Sequence, residues 1–526
     1  MEAQTRWRGG SRWRRRAPER PLMFSASLLC TALLFFFLLS YSAIPGSFFS
    51  PSAFSSSSSA RGGASTRFPQ CSGGSERPGA SVGGRERFLW YAPHSGFSNQ
   101  VAELKNAVLM AAILNRTLVV PPVLDHHAVV LGSCPKFRVS SPSDLRASVW
   151  DHMAELLRNR RFVSMGDVVD LSSLVSTSAV RVIDFRVFVS IWCGLDLGLA
   201  CSASAPEAVL SSRNFQQCKA LLSGLEGNVQ DCIFPVEDDC RTTVWTYGQG
   251  DGTLDAFQPD KELRKKKKIS YIRRRRDVYK ALGPGSEAEK ATVLAFGTLF
   301  SSPYKGSELY IDIHGLPANS PIQPSFLQSI EYLPFAQEIL DAGREFALRK
   351  IKEPFLCAQL RLLDGQFKNH WKTTFSTLRE KLKMLQAEHK GKDSQGPINI
   401  FIMTDLPLAN WTGNYLGALV NNPKSYKLHS LHEGNELVMK ASKMLMVAGH
   451  GLRAGFLPGS HNVMGKNKTC APQQLPDILL YVEETVCSCA TLGFVGTSGS
   501  TIAASIELMR RHHTCNSSPI IYMQDA

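Results

Sequence analysis

The chain has 526 residues, 44% hydrophobic and 20% charged, an ordinary globular composition with length for two domains. Its formal net charge of +14 sits in two runs: residues 1–20 hold seven Arg against two Glu, and Arg264–Arg276 holds nine Lys or Arg and no acid. The remainder balances, so no basic recognition face of the kind a nucleic-acid binder needs is present, and that class is set aside.

In chain order, the Arg cluster at Arg12, Arg14, Arg15, Arg16 and Arg20 directly precedes an apolar run from Leu22 to Ile44. As a helix the run would extend about 34 Å, slightly more than the roughly 30 Å hydrocarbon core of a bilayer. Positive charge on its N-terminal flank predicts a cytosolic tail (1–20), a transmembrane signal anchor (21–44) and a lumenal remainder, the type II topology of a Golgi membrane protein. The alternative, a cleaved signal peptide, usually has an apolar stretch of only about 7–15 residues. Residues 45–86 are rich in Ser, Gly and Pro, the composition of a flexible stem.

The body begins near Arg87. Phe88–Tyr91 is an aromatic and apolar run of strand length, and Pro93, Ser95, Gly96 and Ser98 are turn chemistry. Asn99 stands at an expected N-cap, with Val101, Leu104, Val108, Ala111, Ala112 and Leu114 at helical spacing behind it. Thr117–Val120 is a β-branched run closed by two prolines, which completes a βαβ unit. Further short β runs at Arg161–Ser164 and Val180–Phe185 suggest a parallel sheet, followed by a cysteine-rich insertion over Ser190–Gln258 and a strand over Thr292–Phe300. A second alternation follows Pro334: strands are predicted at Phe355–Leu360, Ile398–Met403 and Gly493–Val495, and helices at Phe335–Ile351, Phe375–His389, Glu436–Val447, Ile478–Thr485 and Ser500–Arg511. The expectation is two α/β Rossmann-like domains, 87–300 and 301–526, facing a cleft.

Outside the apolar run there are twelve cysteines, an even number that suits disulfides in an oxidising compartment. No Cys or His spacing suggests zinc, so no metal is expected. Asn-x-Ser/Thr sequons begin at Asn115, Asn410, Asn467 and Asn516; Asn115 leads into a strand expected to be buried.

Ligands of open α/β sheets sit where loops leave the C-terminal ends of strands, and the free N–H groups of the next helix favour anions. His94, Ser95, Gly96, Asn99 and Gln100 are therefore candidates for a site, although the same pattern suits a capped helix with no ligand. His94, with an intrinsic pKa near 6.5, is a candidate base, or else a surface or ligand-positioning residue. The second candidate is Phe494–Ile502, a Gly-, Ser- and Thr-rich turn entering a helix, in which Thr497, Ser498, Ser500 and Thr501 would line an anion cradle. The third is the apolar strand ending in Arg361 and Asp364, where a guanidinium suits bidentate contact with phosphate, or simply an ion pair. No Asp-x-Asp motif is present to hold a metal beside a diphosphate.

His-Ser-Gly-Phe-Ser-Asn-Gln100, a helix, and then Asn-Arg-Thr-Leu-Val-Val-Pro-Pro122 resembles the opening of the plant-type GDP-fucose protein O-fucosyltransferase family. The resemblance spans most of residues 88–524 and is strongest at 91–138 and 494–511. It implies the two-domain GT-B architecture and transfer of fucose from GDP-fucose to a protein or glycan hydroxyl, inverting and without metal. It further implies that Asn99 lies near the reaction centre, that Arg361 contacts the diphosphate, and that Ser500 and Thr501 contact the nucleotide phosphates. The family's His-x-Arg-x-x-Asp is matched except at Gln359, which replaces the His. Two other readings stay open: a cell-wall polysaccharide transferase using another deoxysugar nucleotide such as UDP-rhamnose, and a catalytically silent scaffold.

Overall fold

The computed structural model describes residues 86–93, 96–124, 141–176, 180–195, 206–225, 229, 232–237, 243–246, 271–274, 281–297, 299, 324–363, 370–390, 396–412, 416–447 and 478–516. They form an α/β structure in which every pairing between strands is parallel. The tail, the apolar run and nearly all of the stem lie outside these residues. Among the described residues no helix is long and apolar enough to cross a membrane.

The first sheet contains β1 (Phe88–Tyr91), β2 (Thr117–Val120), β3 (Val182–Asp184), β4 (Ile233–Val236) and β7 (Val293–Phe296), in the order β3-β2-β1-β7-β4. β5 (Thr243–Thr246) and β6 (Tyr271–Arg274) pair separately. The expected strand Arg161–Ser164 is not one: apart from an isolated bridge between Ser164 and Pro122, this extended stretch has no ladder to join. Within the cysteine-rich stretch, β4 is an integral edge strand of the sheet. The preceding helix α4 (Arg213–Ser223) is tied by Cys193–Cys218 to α3 (Phe185–Cys193).

Alternation along β1 sends side chains to both faces. Leu89 and Tyr91 pack with α1 (Phe97–Ile113), while Phe88 and Trp90 pack with α3 and with α2 (Pro142–Arg158). α2 starts where the sequence says it should: Ser141 accepts the Asp144 N–H at 3.1 Å, with Pro142 just inside.

The second sheet has the order β10-β9-β8-β11, with β8 Phe355–Leu360, β9 Ile398–Thr404, β10 Tyr426–His429 and β11 Gly493–Gly496. Leu356, Ala358 and Leu360 face α6 (Trp371–Lys390) through Leu378, Leu382 and Leu385. Phe355 and Cys357 face the other way, into one apolar cluster that also holds residues of α1, of α5 (Gln337–Glu345), of α7 (Glu436–Val447) and of α8 (Ile478–Ser488). At Gly343 of α5 a Cβ would fall 2.4 Å from that of Thr485, so only glycine permits this approach of α5 to α8. Cys357–Cys487 fastens β8 to α8, and Cys489–Cys515 fastens the end of α8 to the turn after α9 (Thr501–Arg511).

Both sheets change winding direction at a strand that matters below. β1 lies between β2 and β7, and β8 lies between β9 and β11. Crevices beyond the C-terminal ends of such strands are where open α/β sheets bind ligands.

Candidate functional site

The loop after β1 leads into α1 at Gly96, whose φ of −66° and ψ of 161° make it the N-cap. Asn99 is thus the third helical residue rather than the cap, and its N–H donates to the Gly96 carbonyl at 2.9 Å. Phe97 explains the earlier start: its ring lies 4.1 Å from Tyr481 and 6.2 Å from Phe335, and burying it is worth roughly 2–3 kcal/mol. Without a cap to serve, the Asn99 Oδ1 is buried and has no hydrogen-bond partner. Gln100 braces the chain after β2: it is fully buried, donates to the Leu124 carbonyl at 2.9 Å and accepts the Leu124 N–H at 2.9 Å. His94 and Ser95 lie outside the described residues.

On the second sheet the ends of β8 and β11 are stitched together. Thr497 donates its N–H to the Gln359 Oε1 at 3.1 Å and its hydroxyl to the Gln359 carbonyl at 3.1 Å. The same hydroxyl accepts the Arg361 N–H at 2.9 Å. Thr497, expected to touch substrate, is 1% exposed and acts as this stitch. Gln359, the departure from the family pattern, supplies an acceptor oxygen within it. Arg361 is half-buried; burial lowers its pKa and the nearby Asp405 carboxylate opposes that, so the guanidinium stays charged. Asp364 lies outside the described residues.

The turn 497–500 then delivers the chain into α9. Ser498 is exposed, and Gly499 takes a left-handed φ of 74° with nothing near its missing side chain. Ser500 is the N-cap, yet its hydroxyl caps nothing: the Oγ is buried without a partner. A helix start whose cap side chain bonds none of the first N–H groups is disposed to receive an anion. Gly496 makes the approach possible, because a Cβ there would meet the Ala503 side chain at 2.6 Å.

α1 and α9 flank a cleft of about 270 Å³, lined by Phe97, Ser98 and Lys105 from one helix and, along the length of the other, by Thr501, Ser505 and Arg511. Glu484 of α8 lies against it, fully buried, with Oε2 accepting the Ser505 hydroxyl at 2.7 Å and Oε1 unpartnered. Burial raises the Glu484 pKa to about 8 despite the Ser505 bond. Across the cleft burial lowers Lys105 to about 8, its Nζ donating to the Glu331 carbonyl at 2.7 Å. Neither Glu484 nor Asp405 is marked by any local sequence pattern, because their partners lie more than twenty residues away in the chain. A smaller cavity of about 170 Å³, beside Asn115 and Arg116, lies at the N-terminal end of the first sheet, the edge that does not bind ligands in this fold class.

Among the described residues no three His, Cys, Asp or Glu are grouped to hold a metal ion. Of the sequon asparagines, Asn115 is exposed just before the buried strand, with its Oδ1 accepting from Arg181 at 3.3 Å. Asn410 and Asn516 are also exposed, and Asn467 lies outside the described residues.

No protein-family model matches the sequence. Over 510 residues the chain is 54% identical to O-fucosyltransferase 30 of Arabidopsis thaliana, covering 96% of this chain and 97% of that one. Among solved structures it is similar to POFUT1 in complex with GDP-fucose, with a TM-score of 0.35, 13% identity, and 83% of this chain and 97% of that one covered. It is likewise similar to POFUT1 in complex with GDP, with a TM-score of 0.35, 12% identity, and 83% and 96% covered. An identity of 54% sustained over nearly the whole of both sequences places this protein in the O-fucosyltransferase family.

Proposed function

We propose that this protein transfers fucose from GDP-fucose to a hydroxyl of a protein or glycan acceptor, inverting the anomeric centre and without a metal ion. The observation that carries the reading is the helix start at Ser500. A buried, unpartnered hydroxyl and open N–H groups stand one hydrogen-bonded residue, Thr497, away from the strand end that presents Arg361. As the bond from C1 of the sugar to the diphosphate oxygen breaks, negative charge grows on the β-phosphate. The guanidinium, the Ser500 hydroxyl and the N–H groups from Thr501 onward are fixed dipoles and charge aimed at it. The acceptor oxygen attacks C1 from the opposite face and loses its proton, for which His94 is the base the sequence offers. Asn99, with its free Oδ1, would orient a sugar or acceptor hydroxyl.

On this reading the two sheets are the halves of a GT-B enzyme facing one cleft. Turnover, measured as GDP release from GDP-fucose by the full-length protein in detergent, is expected to continue in excess chelator. Complete loss in chelator with recovery on adding manganese would contradict it.

We place the body in the Golgi lumen behind a single-pass type II anchor at residues 21–44. Three disulfides among the described residues support an oxidising compartment, and the Arg cluster supports the orientation. Protease added to intact microsomes should leave the body undigested; its digestion would overturn the topology.

A further inference from the structure

We propose that Asp405, at the end of β9, is a positioning residue that aims Arg361 at the leaving diphosphate. The inference rests on the transfer reaction proposed above. Parallel register puts Leu360 opposite Thr404, so the chain leaves β8 and β9 side by side. The Asp405 Oδ1 accepts the Leu362 N–H at 2.7 Å and its Oδ2 accepts the Leu363 N–H at 3.0 Å. On the other flank the Thr497 hydroxyl holds the Arg361 N–H at 2.9 Å, and Gln359 holds Thr497. Three successive N–H groups are therefore clamped by side chains arriving from both neighbouring strand ends. The backbone that carries the guanidinium has little freedom left to turn.

This clamp suits aim better than stability. Asp405 and Leu363 are exposed, so water would satisfy the freed N–H groups at little loss if the carboxylate were absent. What water cannot supply is a fixed direction for the side chain one residue earlier. Asp405 also places a negative charge near Arg361, which opposes the effect of burial on the half-buried guanidinium. The clamp gives Gln359 a role as well: its amide oxygen does for Thr497 what any acceptor at that position must do.

Asp405→Asn keeps the shape but replaces one acceptor oxygen by an NH₂ group that cannot receive an N–H, and it removes the charge. The expected result is a fall in kcat of about tenfold to a hundredfold, the size of one lost hydrogen bond to a charged group, with the donor KM nearly unchanged. A melting temperature close to that of the wild type is expected alongside. The discriminating measurement is the cycle with Arg361→Ala. If Asp405 acts through Arg361, the double variant is no slower than Arg361→Ala alone, within about twofold. Losses that multiply, or an Asp405→Asn protein with wild-type kcat, overturn the proposal. A wild-type protein that neither turns over GDP-fucose nor binds GDP would overturn the transfer reading, and the role of Asp405 with it.

Discussion

Arg361→Ala is expected to lower turnover by about a hundredfold to a thousandfold, on the order of 3–4 kcal/mol of transition-state stabilisation. On the metal-free reaction proposed above, the guanidinium is the principal countercharge for the departing phosphate. The fold should survive the change. The hydrogen bond that fixes this position to Thr497 comes from the backbone N–H, which alanine retains, and the side chain itself is only half-buried. Arg361→Lys is expected to restore little, because a compact ammonium cannot reproduce the planar two-pronged contact of a guanidinium with phosphate oxygens. GDP release by the purified variants, with circular dichroism to verify folding, checks both statements. An Arg361→Ala protein as active as the wild type would remove Arg361 from the site.

Glu484→Gln is expected to stabilise the protein by an amount that grows as pH rises from about 5 to 8. The folded chain keeps the Glu484 proton up to about pH 8, whereas an unfolded chain releases it near 4.5. Between those values the folded state binds the extra proton, so raising pH withdraws stability at about 1.4 kcal/mol per pH unit once the unfolded carboxyl has ionised. Across the window the loss is on the order of 4 kcal/mol, and it levels off above about pH 8. The charged groups facing Glu484 do not cancel this trend. Lys105, Arg511 and Tyr332 share its cleft, and Arg344 lies near Tyr332. Lys105, held down to about 8, changes stability with pH only above that value and in the opposite sense. Gln keeps an acceptor for the Ser505 hydroxyl and carries no titratable proton. Chemical denaturation of both proteins at pH 5, 6, 7 and 8 should give a widening difference. A constant difference would mean that Glu484 stays ionised in the fold.

The parts of this architecture legible in the sequence are those whose cause is local. Short apolar runs located β1, β8 and β9, and helical spacing behind turn residues located α1 and α9, since each signal is made by neighbours in the chain. The Gly-Ser-Thr turn before α9 was legible for the same reason. Where distant partners decide, the sequence was silent or misleading. Asn99 has the chemistry of a cap, but the contacts of Phe97 with Tyr481 and Phe335 begin the helix three residues earlier. Nothing local in the sequence shows that Thr497 and Gln100 are bonded to Gln359 and Leu124. Nothing around Thr404-Asp405 announces which backbone, some forty residues earlier, the carboxylate catches. Of the adjacent pair Glu483 and Glu484, only the packing of α8 against α9 decides which is buried.

The most direct test is nucleotide release by the purified full-length protein across a panel of donors, GDP-fucose beside GDP-mannose, UDP-rhamnose and UDP-glucose at equal concentration. The expected result is release of GDP from GDP-fucose above all the others, lowered about a hundredfold or more in Arg361→Ala. Preferential turnover of UDP-rhamnose, or turnover of no donor at all, would contradict it.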